Sequence, residues 1–558
     1  MMDNYQIADQ FSLLSKLLDI HGENSFKAKS YAVAAFNIEK LPTQLHTLQA
    51  ENIFSIKGIG EATGKKIIEM IQTGKMNALE DYLTKTPPGV LEMLSIKGLG
   101  PKKIATVWKE MGIESIGELL YACNENRLLL YKGFGQKTQD NIRDTIEFYL
   151  HNRGSYLFAE IVEYATKADQ ELKKQFSGDE FEFTGAYRRH IETIDELEWV
   201  TTTPVEKIEN YLGSKNFSTV EKENDWLSLR SPDNIKVKFY CASKEKFGTV
   251  LFNTSCSNEF LEAWEKKFGK AGTESKEESI FNSANILAII PALREKEEIL
   301  DLAKENKLPK LIQPDDVKGI IHSHSNWSDG SNTIEEMATA AKSKGLEYLV
   351  ISDHSKSAFY ANGLNEERLK EQHAYVDELN TKLAPFKIFK SIESDILNDG
   401  NLDYSNEVLA TFDLVIASVH SNLKMPEEKA MMRLTKAIEN PYTTILGHMT
   451  GRLLLSRNGY PVDHKKIIEI CLANQVVIEL NAHPRRLDID WRWIDYALDK
   501  GVLISIDPDA HSIEGYDDNY YGVLAAQKGG LTKEKNLSSF SLKEFEDYLL
   551  KRRKAKGF

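Results

Sequence analysis

No run of 18 or more apolar residues occurs in the 558-residue chain, so a membrane-spanning helix is not expected. No charged-then-apolar segment follows Met1, and the expectation is a cytoplasmic chain with no membrane partner. Cysteine is scarce: Cys123, Cys241, Cys256 and Cys471 are scattered, with no CxxC pair. That argues against a thiolate zinc site and fits a reducing compartment. An excess of positive charge is missing too. The net charge of −14 argues, taken alone, against nucleic-acid binding. Residues 1–150 nevertheless carry 17 Lys/Arg against 18 Asp/Glu, so most of the acidity lies downstream. A case for nucleic acid must therefore rest on motifs in the first third. The length exceeds what one hydrophobic core organises, and two to four domains are expected.

What is present is one pattern repeated three times. Ile56-Lys57-Gly58-Ile59-Gly60, Ile96-Lys97-Gly98-Leu99-Gly100 and Tyr131-Lys132-Gly133-Phe134-Gly135 each precede a helical stretch. Glycine permits a tight turn with positive φ and lets a phosphate approach the backbone. The helix start that follows offers unpaired N–H groups and a positive dipole end. Lys57, Lys97 and Lys132 add a cation beside each turn, so the expected ligand is a DNA backbone, read without regard to sequence. A single Gly-x-Gly would be a weak signal, but three in one lysine register are not. The third copy has a structural turn as its alternative reading.

In the last 240 residues, apolar runs repeatedly end in a histidine or an acidic residue. Gly319–Ile321 leads to His322 and His324, Tyr348–Ser352 to Asp353 and His354, and Ile388–Ile392 to Glu393. Leu414–Val419 leads to His420, Thr444–Gly447 to His448, Val476–Leu480 to Asn481 and His483, and Val502–Ile506 to Asp509 and His511. Helical segments intervene; Thr333-Ile334-Glu335-Glu336 is a capping-box start and Gly345 a stop. Seven β/α alternations imply a parallel barrel, whose strand C-termini converge on one mouth. Histidines and carboxylates arriving together there point to a multinuclear metal site.

Residues 1–300 resemble a family X DNA polymerase. Gly22-Glu23-Asn24 with Phe26, Lys27, Lys29 and Tyr31 matches the N-terminal helical domain of bacterial members. In some relatives this domain is a lyase, and the register puts Lys66 at its Schiff-base position; a solvated helix lysine is the alternative. The family's palm opens with Gly-Ser-x-Arg-Arg and continues to Asp-x-Asp and a third Asp on a neighbouring strand. Here these positions read Gly185-Ala186-Tyr187-Arg188-Arg189, Glu196-Leu197-Glu198 and Lys238. Polymerisation needs two divalent ions bridged by short carboxylates. Glu196 and Glu198 are each a methylene longer than Asp, Lys238 sets an ammonium among them, and Ala186 lacks the serine hydroxyl. A degenerate palm site (Ala186, Arg189, Glu196, Glu198, Lys238) without polymerase activity is the expectation. A working gap-filling polymerase with proofreading is the alternative.

The C-terminal motifs resemble the polymerase-and-histidinol-phosphatase (PHP) family. His322-Ser323-His324, Ser328-Asp329-Gly330, Ser352-Asp353-His354, Glu393, Ser418-Val419-His420, Gly447-His448 and Asp509-Ala510-His511 carry the match. The resemblance implies a trinuclear cluster on His322, His324, Asp329, His354, Glu393, His420, His448, Asp509 and His511. His322, His324, Asp329, Glu393 and Asp509 are its expected catalytic members. Mixed imidazole and carboxylate ligands suit Mn²⁺ first, with Zn²⁺ and Fe²⁺ as alternatives. Arg452 and Arg486 match family arginines that hold phosphates, an ion pair being their other reading. Asp353 and Asp395 are expected to orient ligands, and Ile320 replaces the Asp usual in relatives.

The expected architecture is multidomain, α and α/β. Helix-hairpin-helix domains (1–85 and 86–150) precede a nucleotidyltransferase-like α+β palm and thumb (151–305). A linker (306–317) then leads to a distorted (β/α)7 PHP barrel (318–558). The resemblance implies a nucleoid-associated monomer acting on gapped, nicked or damaged 3′ ends of DNA, as an exonuclease, 3′-phosphatase, phosphodiesterase or AP endonuclease in base-excision-type repair.

Overall fold

The computed structural model describes residues 2–39, 41, 43–56, 58–151 and 154–558. The chain divides into two compact units, Met1–Tyr149 and Leu150–Phe558. In the first, helix Asn4–His21 starts in a capping box between Asp3 and Gln6 and packs on helix Ser25–Glu39. The same helix meets Pro101–Lys109: Lys109 Nζ donates to the His21 carbonyl at 2.6 Å, and the His21 ring bonds Thr86 Oγ1 at 2.8 Å. The boundary expected at 85/86 thus falls inside one compact unit.

In the second unit, five strands build the palm sheet. Their order is Phe181–Thr184, Leu197–Thr201, Lys236–Cys241, Trp226–Arg230, Ser218–Lys222. Leu197–Thr201 and Lys236–Cys241 run parallel, with Glu198 directly opposite Lys238. On the other face, Trp199, Val237 and Phe239 pack against helix Phe158–Gln175. This alternation is what the strand period demands.

The barrel strands are all parallel. Gly319–Ile320, Tyr348–Ile351 and Lys387–Lys390 pair in sequence, and Glu393–Asp395, Val415–Ser418, Thr443–Leu446, Val477–Asn481 and Ile504–Asp507 do the same. Single parallel bridges, His354 to Glu393 and Ser323 to Ala510, join the two sets into a ring. Counting Lys387–Asp395 as one interrupted strand gives the seven expected. Val350, Phe389, Ile416, Ile445 and Val477 pack with Phe545 and Leu549 of the last helix, Leu542–Lys556. Leu349 and Ile351 face outward onto helix Ile334–Ser343, which starts in the capping box at Thr333. The segment expected to be a linker is part of the barrel's packing. Ile312 is fully buried, its N–H donates to the Leu531 carbonyl at 2.9 Å, and Leu311 bridges to Thr532. No helix among the described residues is long and apolar enough to cross a membrane.

Candidate metal centre

All nine side chains expected at the barrel mouth meet there, and none is more than 9% exposed. Glu393, at a strand end, is the hub. Its carboxylate lies 3.3 Å from His322 Nε2, 3.6 Å from His324 Nε2 and 2.9 Å from His354 Nδ1. His420 Nε2 and His448 Nε2 approach it at 3.1 and 2.9 Å. Asp509 joins His322 and His324 at 3.3 and 3.0 Å, and Asp329 joins His354 and His511 at 3.5 Å each. Four overlapping groups have ligand atoms mutually within 4.8 Å. They are His324–Asp329–His354–His511, His322–Glu393–His448, His322–His324–Asp509 and His354–Glu393–His420.

Backbone conformation adds a second mark. His322, His448 and Asp509 have φ of 59°, 40° and 52°, in the left-handed region that is unfavourable for side chains other than glycine. Such residues persist where the surrounding structure fixes them, and they gather at functional sites.

Carboxylates behind the cluster hold the imidazoles. Glu479 Oε2 lies 2.6 Å from His322 Nδ1, and Asp395 Oδ1 lies 2.6 Å from His420 Nδ1. Asp353 acts on a ligand through its loop. It accepts from Ser325 N–H and from the side chains of Ser325, Ser328 and Gln372, and so fixes the loop that carries Asp329. Burial opposes charge on His322, but Glu479, Asp509 and Glu393 more than offset it and raise its pKa. Burial pushes His324 down to about 3, with His511 and His354 adding. Glu393 and Asp509 stay ionised despite burial, held well below the usual carboxylate range by the imidazoles around them.

The donor set fits divalent cations. His322 Nε2, His324 Nδ1, and one oxygen each of Asp329 and Glu393 are buried without a hydrogen-bond partner. Orphaned buried atoms are costly, and several converging on one point are satisfied by an ion.

Glu479 escapes a reading by strand ends because it lies inside the strand Val477–Asn481. Its signal is a lone carboxylate in the interior of an otherwise apolar parallel strand. The guanidinium of Arg486 lies 3.7 Å from Asp509, beside the cluster. Arg452 is placed otherwise than a phosphate-holding side chain: its donors go to Asp490 and to the carbonyls of Arg486 and Leu487. That is the ion-pair alternative. His483 sits half-buried next to this loop, its Nδ1 accepting from Arg485 N–H.

The three glycine turns share one geometry. Gly58, Gly98 and Gly133 have φ of 92°, 92° and 95°. The N–H of the residue after each closes a turn at 3.0–3.1 Å: Ile59 to Ile56, Leu99 to Ile96, Phe134 to Tyr131. Ile59, Leu99 and Phe134 are buried while the glycines around them are exposed, so backbone faces outward in all three. Gly60, Gly100 and Gly135 precede helices Glu61–Thr73, Pro101–Lys109 and Gln136–His151. Lys97 and Lys132 are exposed; Lys57 lies outside the described residues. Lys66 is half-buried, its ammonium 5.8 Å from the Tyr31 ring centre.

In the palm, both lysines of the third strand reach the Glu face. Lys236 Nζ lies 3.3 Å from Glu196, which also accepts from Ser228, and Glu198 accepts from Tyr240 at 3.0 Å. Lys238 Nζ sits between the Trp226 and Tyr240 rings, 4.6 and 4.8 Å from their centres. Burial pushes the Glu198 carboxyl up. Ala186 is half-buried against the palm core, and Arg189 is paired with Glu295 at 3.1 Å. Glu295 in turn accepts from Lys528 of the barrel at 2.7 Å. Arg485 reaches Glu160 at 2.7 Å, and Arg492 and Trp491 bond Glu192 at 2.9 and 3.0 Å. Palm and barrel are thus joined by buried and partly buried polar contacts.

Comparison with known proteins agrees with this layout. A helix-hairpin-helix domain family matches residues 2–76, a SAM-like helix-hairpin-helix tandem matches 90–147, and the PHP domain matches 321–483. The chain is similar to the DNA polymerase/3′-5′ exonuclease PolX of Bacillus subtilis, with 33% identity over 95% of this chain and 96% of the relative. It is also similar to a probable phosphatase of Thermoanaerobacter sp. (strain X514), 26% identical over 42% of this chain and 96% of that protein. A probable phosphatase of Caldanaerobacter subterraneus is 29% identical over 29% of this chain and 60% of its own length.

Proposed function

The chain belongs to the family X DNA polymerases that carry a PHP domain, and from that premise we propose that it is a metal-dependent hydrolase of phosphate bonds at DNA ends. The carrying observation is the convergence of nine buried ligand side chains, several with orphaned donor or acceptor atoms, on one barrel mouth. His322, His324, Asp329, His354, Glu393, His420, His448, Asp509 and His511 would hold three ions, Mn²⁺ in preference to Zn²⁺ or Fe²⁺. Divalent ions bound there supply Lewis acidity, which makes water nucleophilic near neutral pH and neutralises charge on phosphate oxygens. Glu479 and Asp395 keep His322 and His420 oriented with one ring nitrogen turned to the centre. Arg486 stands where a substrate phosphate would need a cation. The outward glycine turns hold the DNA backbone regardless of sequence, and Lys66 is the lyase position.

The Bacillus relative is named for both polymerase and exonuclease activities. The palm counts against the first for this chain. Two ammonium groups, Lys236 and Lys238, stand among the carboxylates of that face, and Arg189 is engaged by Glu295. At an effective dielectric constant near 20, each unit-charge contact at about 4 Å contributes on the order of 4 kcal/mol, and here it opposes metal entry. The test assays 3′-end degradation and primer extension side by side in Mn²⁺. His322→Ala with His324→Ala should abolish degradation with DNA affinity nearly intact, and the same variant should add no nucleotide to a gapped duplex. Degradation that survives the double substitution overturns the barrel assignment; templated extension lost on Glu196→Ala overturns the palm assignment.

A further inference from the structure

Phe359 is 76% exposed, more than any other large apolar side chain described between residues 150 and 558. Its exposure does not come from a slack loop. Two residues before it, Ser357 N–H donates to Asp403 at 2.6 Å and Ser357 Oγ to Asp395 at 2.7 Å. Ala358 and Ala361 on either side are fully buried, and Leu364 N–H returns to the His354 carbonyl at 2.9 Å. A Cβ on Gly363 would strike the Ser355 carbonyl, so the turn is close-packed where it folds back. The loop is clamped at both ends, and one phenyl ring is held out into solvent.

Its place is beside the metal centre. The loop leaves the barrel directly after His354, and Asp395, which anchors Ser357, is the carboxylate that orients His420. Rings connect it inward: Phe359 lies 5.8 Å from Tyr360 edge-on, and Tyr360 lies 6.4 Å from His354. Successive nucleotides advance by about 3.4 Å along a strand. The two ring-to-ring steps put the Phe359 ring at most about 12 Å from the His354 ring, within roughly four such advances of a phosphate at the cluster.

We propose that Phe359 is the stacking platform for the terminal base of a single-stranded 3′ end entering the barrel. The inference rests on the DNA-end reading given above and assigns its substrate specificity. A ligand that fits must offer a phosphate to the buried cluster and a flat apolar face within that reach, and a nucleotide with an unpaired base offers both. Bases within a duplex already stack on their neighbours, so a single-stranded end gains most from the ring.

The test uses the full-length protein in Mn²⁺ and two single-stranded oligonucleotides that differ only at the 3′-terminal residue. One ends in an ordinary nucleotide, the other in a tetrahydrofuran residue that has no base. Wild type is expected to prefer the base-bearing end by about tenfold in kcat/KM, within the range that aromatic–base stacking supplies. In Phe359→Ala that ratio should collapse to near one, and in Phe359→Trp it should persist. A ratio unchanged by Phe359→Ala overturns this proposal and leaves the hydrolase reading standing. Equal loss on both ends in Phe359→Ala also overturns it, since a structural role would act on both. A wild-type protein that cuts neither end removes the hydrolase reading, and this proposal with it.

Discussion

Replacing Glu479 by Gln removes one charge from beneath the metal centre while nearly keeping the shape. The carboxylate lies 2.6 Å from His322 Nδ1, fully buried, and its other oxygen accepts from Asn481 at 3.0 Å. A charge-assisted hydrogen bond contributes about 1.5–3 kcal/mol, a neutral one about 0.5–1.5. An amide oxygen in its place still accepts from the imidazole, so the loss is the difference, on the order of 1.4 kcal/mol. That corresponds to about tenfold weaker metal binding, the lower end of what carboxylate partners of ligand histidines usually supply. Stability should move the other way. Burial and the neighbouring Glu479 charge raise the Asp507 carboxyl far above its usual range, so the fold holds that carboxyl protonated at a cost in stability that a neutral amide at 479 would lessen. Metal titrations of hydrolysis should shift about tenfold to higher concentration in Glu479→Gln, while melting in chelator should occur no lower than in wild type. A titration curve that matches wild type would refute the role assigned to Glu479. A large fall in melting temperature would refute it too, by making the residue a structural support.

Two further outcomes are expected. Lys97→Ala and Lys132→Ala should each weaken DNA binding equally for all sequences and flatten the plot of log affinity against log salt by about one, read by fluorescence anisotropy; an unchanged slope removes those turns from the contact. Glu277, clasped by Arg188 and Arg294, is held at about 2 even though burial alone would raise it. A depressed carboxyl stabilises the fold fully above its unfolded value of 4.5, and that contribution, on the order of 3 kcal/mol, is lost as pH falls from about 4.5 through about 2. Thermal melts over that window should flatten in Glu277→Gln, and identical pH profiles would count against the clasp.

Asp329, in a loop, is carried by the resemblance of its motif alone. The other eight cluster residues are legible because they stand at or just past the end of an apolar run, and parallel strands in a barrel bring such ends to one mouth. Glu479 is not, since its partner His322 is 157 residues away and only closure of the ring brings them together. Arg452 shows the opposite limit. Its sequence context matches phosphate-holding arginines, yet Asp490 and two carbonyls, 34 to 38 residues on, absorb its donors. The palm pairing is carried by the resemblance, whose third carboxylate position falls on Lys238; Glu198 and Lys238 stand opposite each other. Lys236 escapes such a reading because its pairing with Glu196 depends on where the strands lie relative to one another. Residues 306–317 look like a tether through Pro309 and Pro314, but the burial of Ile312 and its bond to Leu531 make the segment part of the barrel.

Lys528 has a consequence for how this protein could be taken apart. Burial pushes its ammonium down to about 8, and what offsets that burial is Glu295, on the far side of the boundary the sequence marks near residue 318. Severing the chain there would strand the lysine, take Glu160 from Arg485 and Glu192 from Arg492 and Trp491, and strip Leu311 and Ile312 from Leu531 and Thr532. Unpaired buried charge is among the costliest defects a fold can carry. The probable phosphatase of Thermoanaerobacter is matched over 96% of its own length by 42% of this chain, but here the barrel's surface is built to meet the palm. A graft of this barrel onto another carrier would have to redesign that face first, with Lys528 and Trp491 as the opening substitutions.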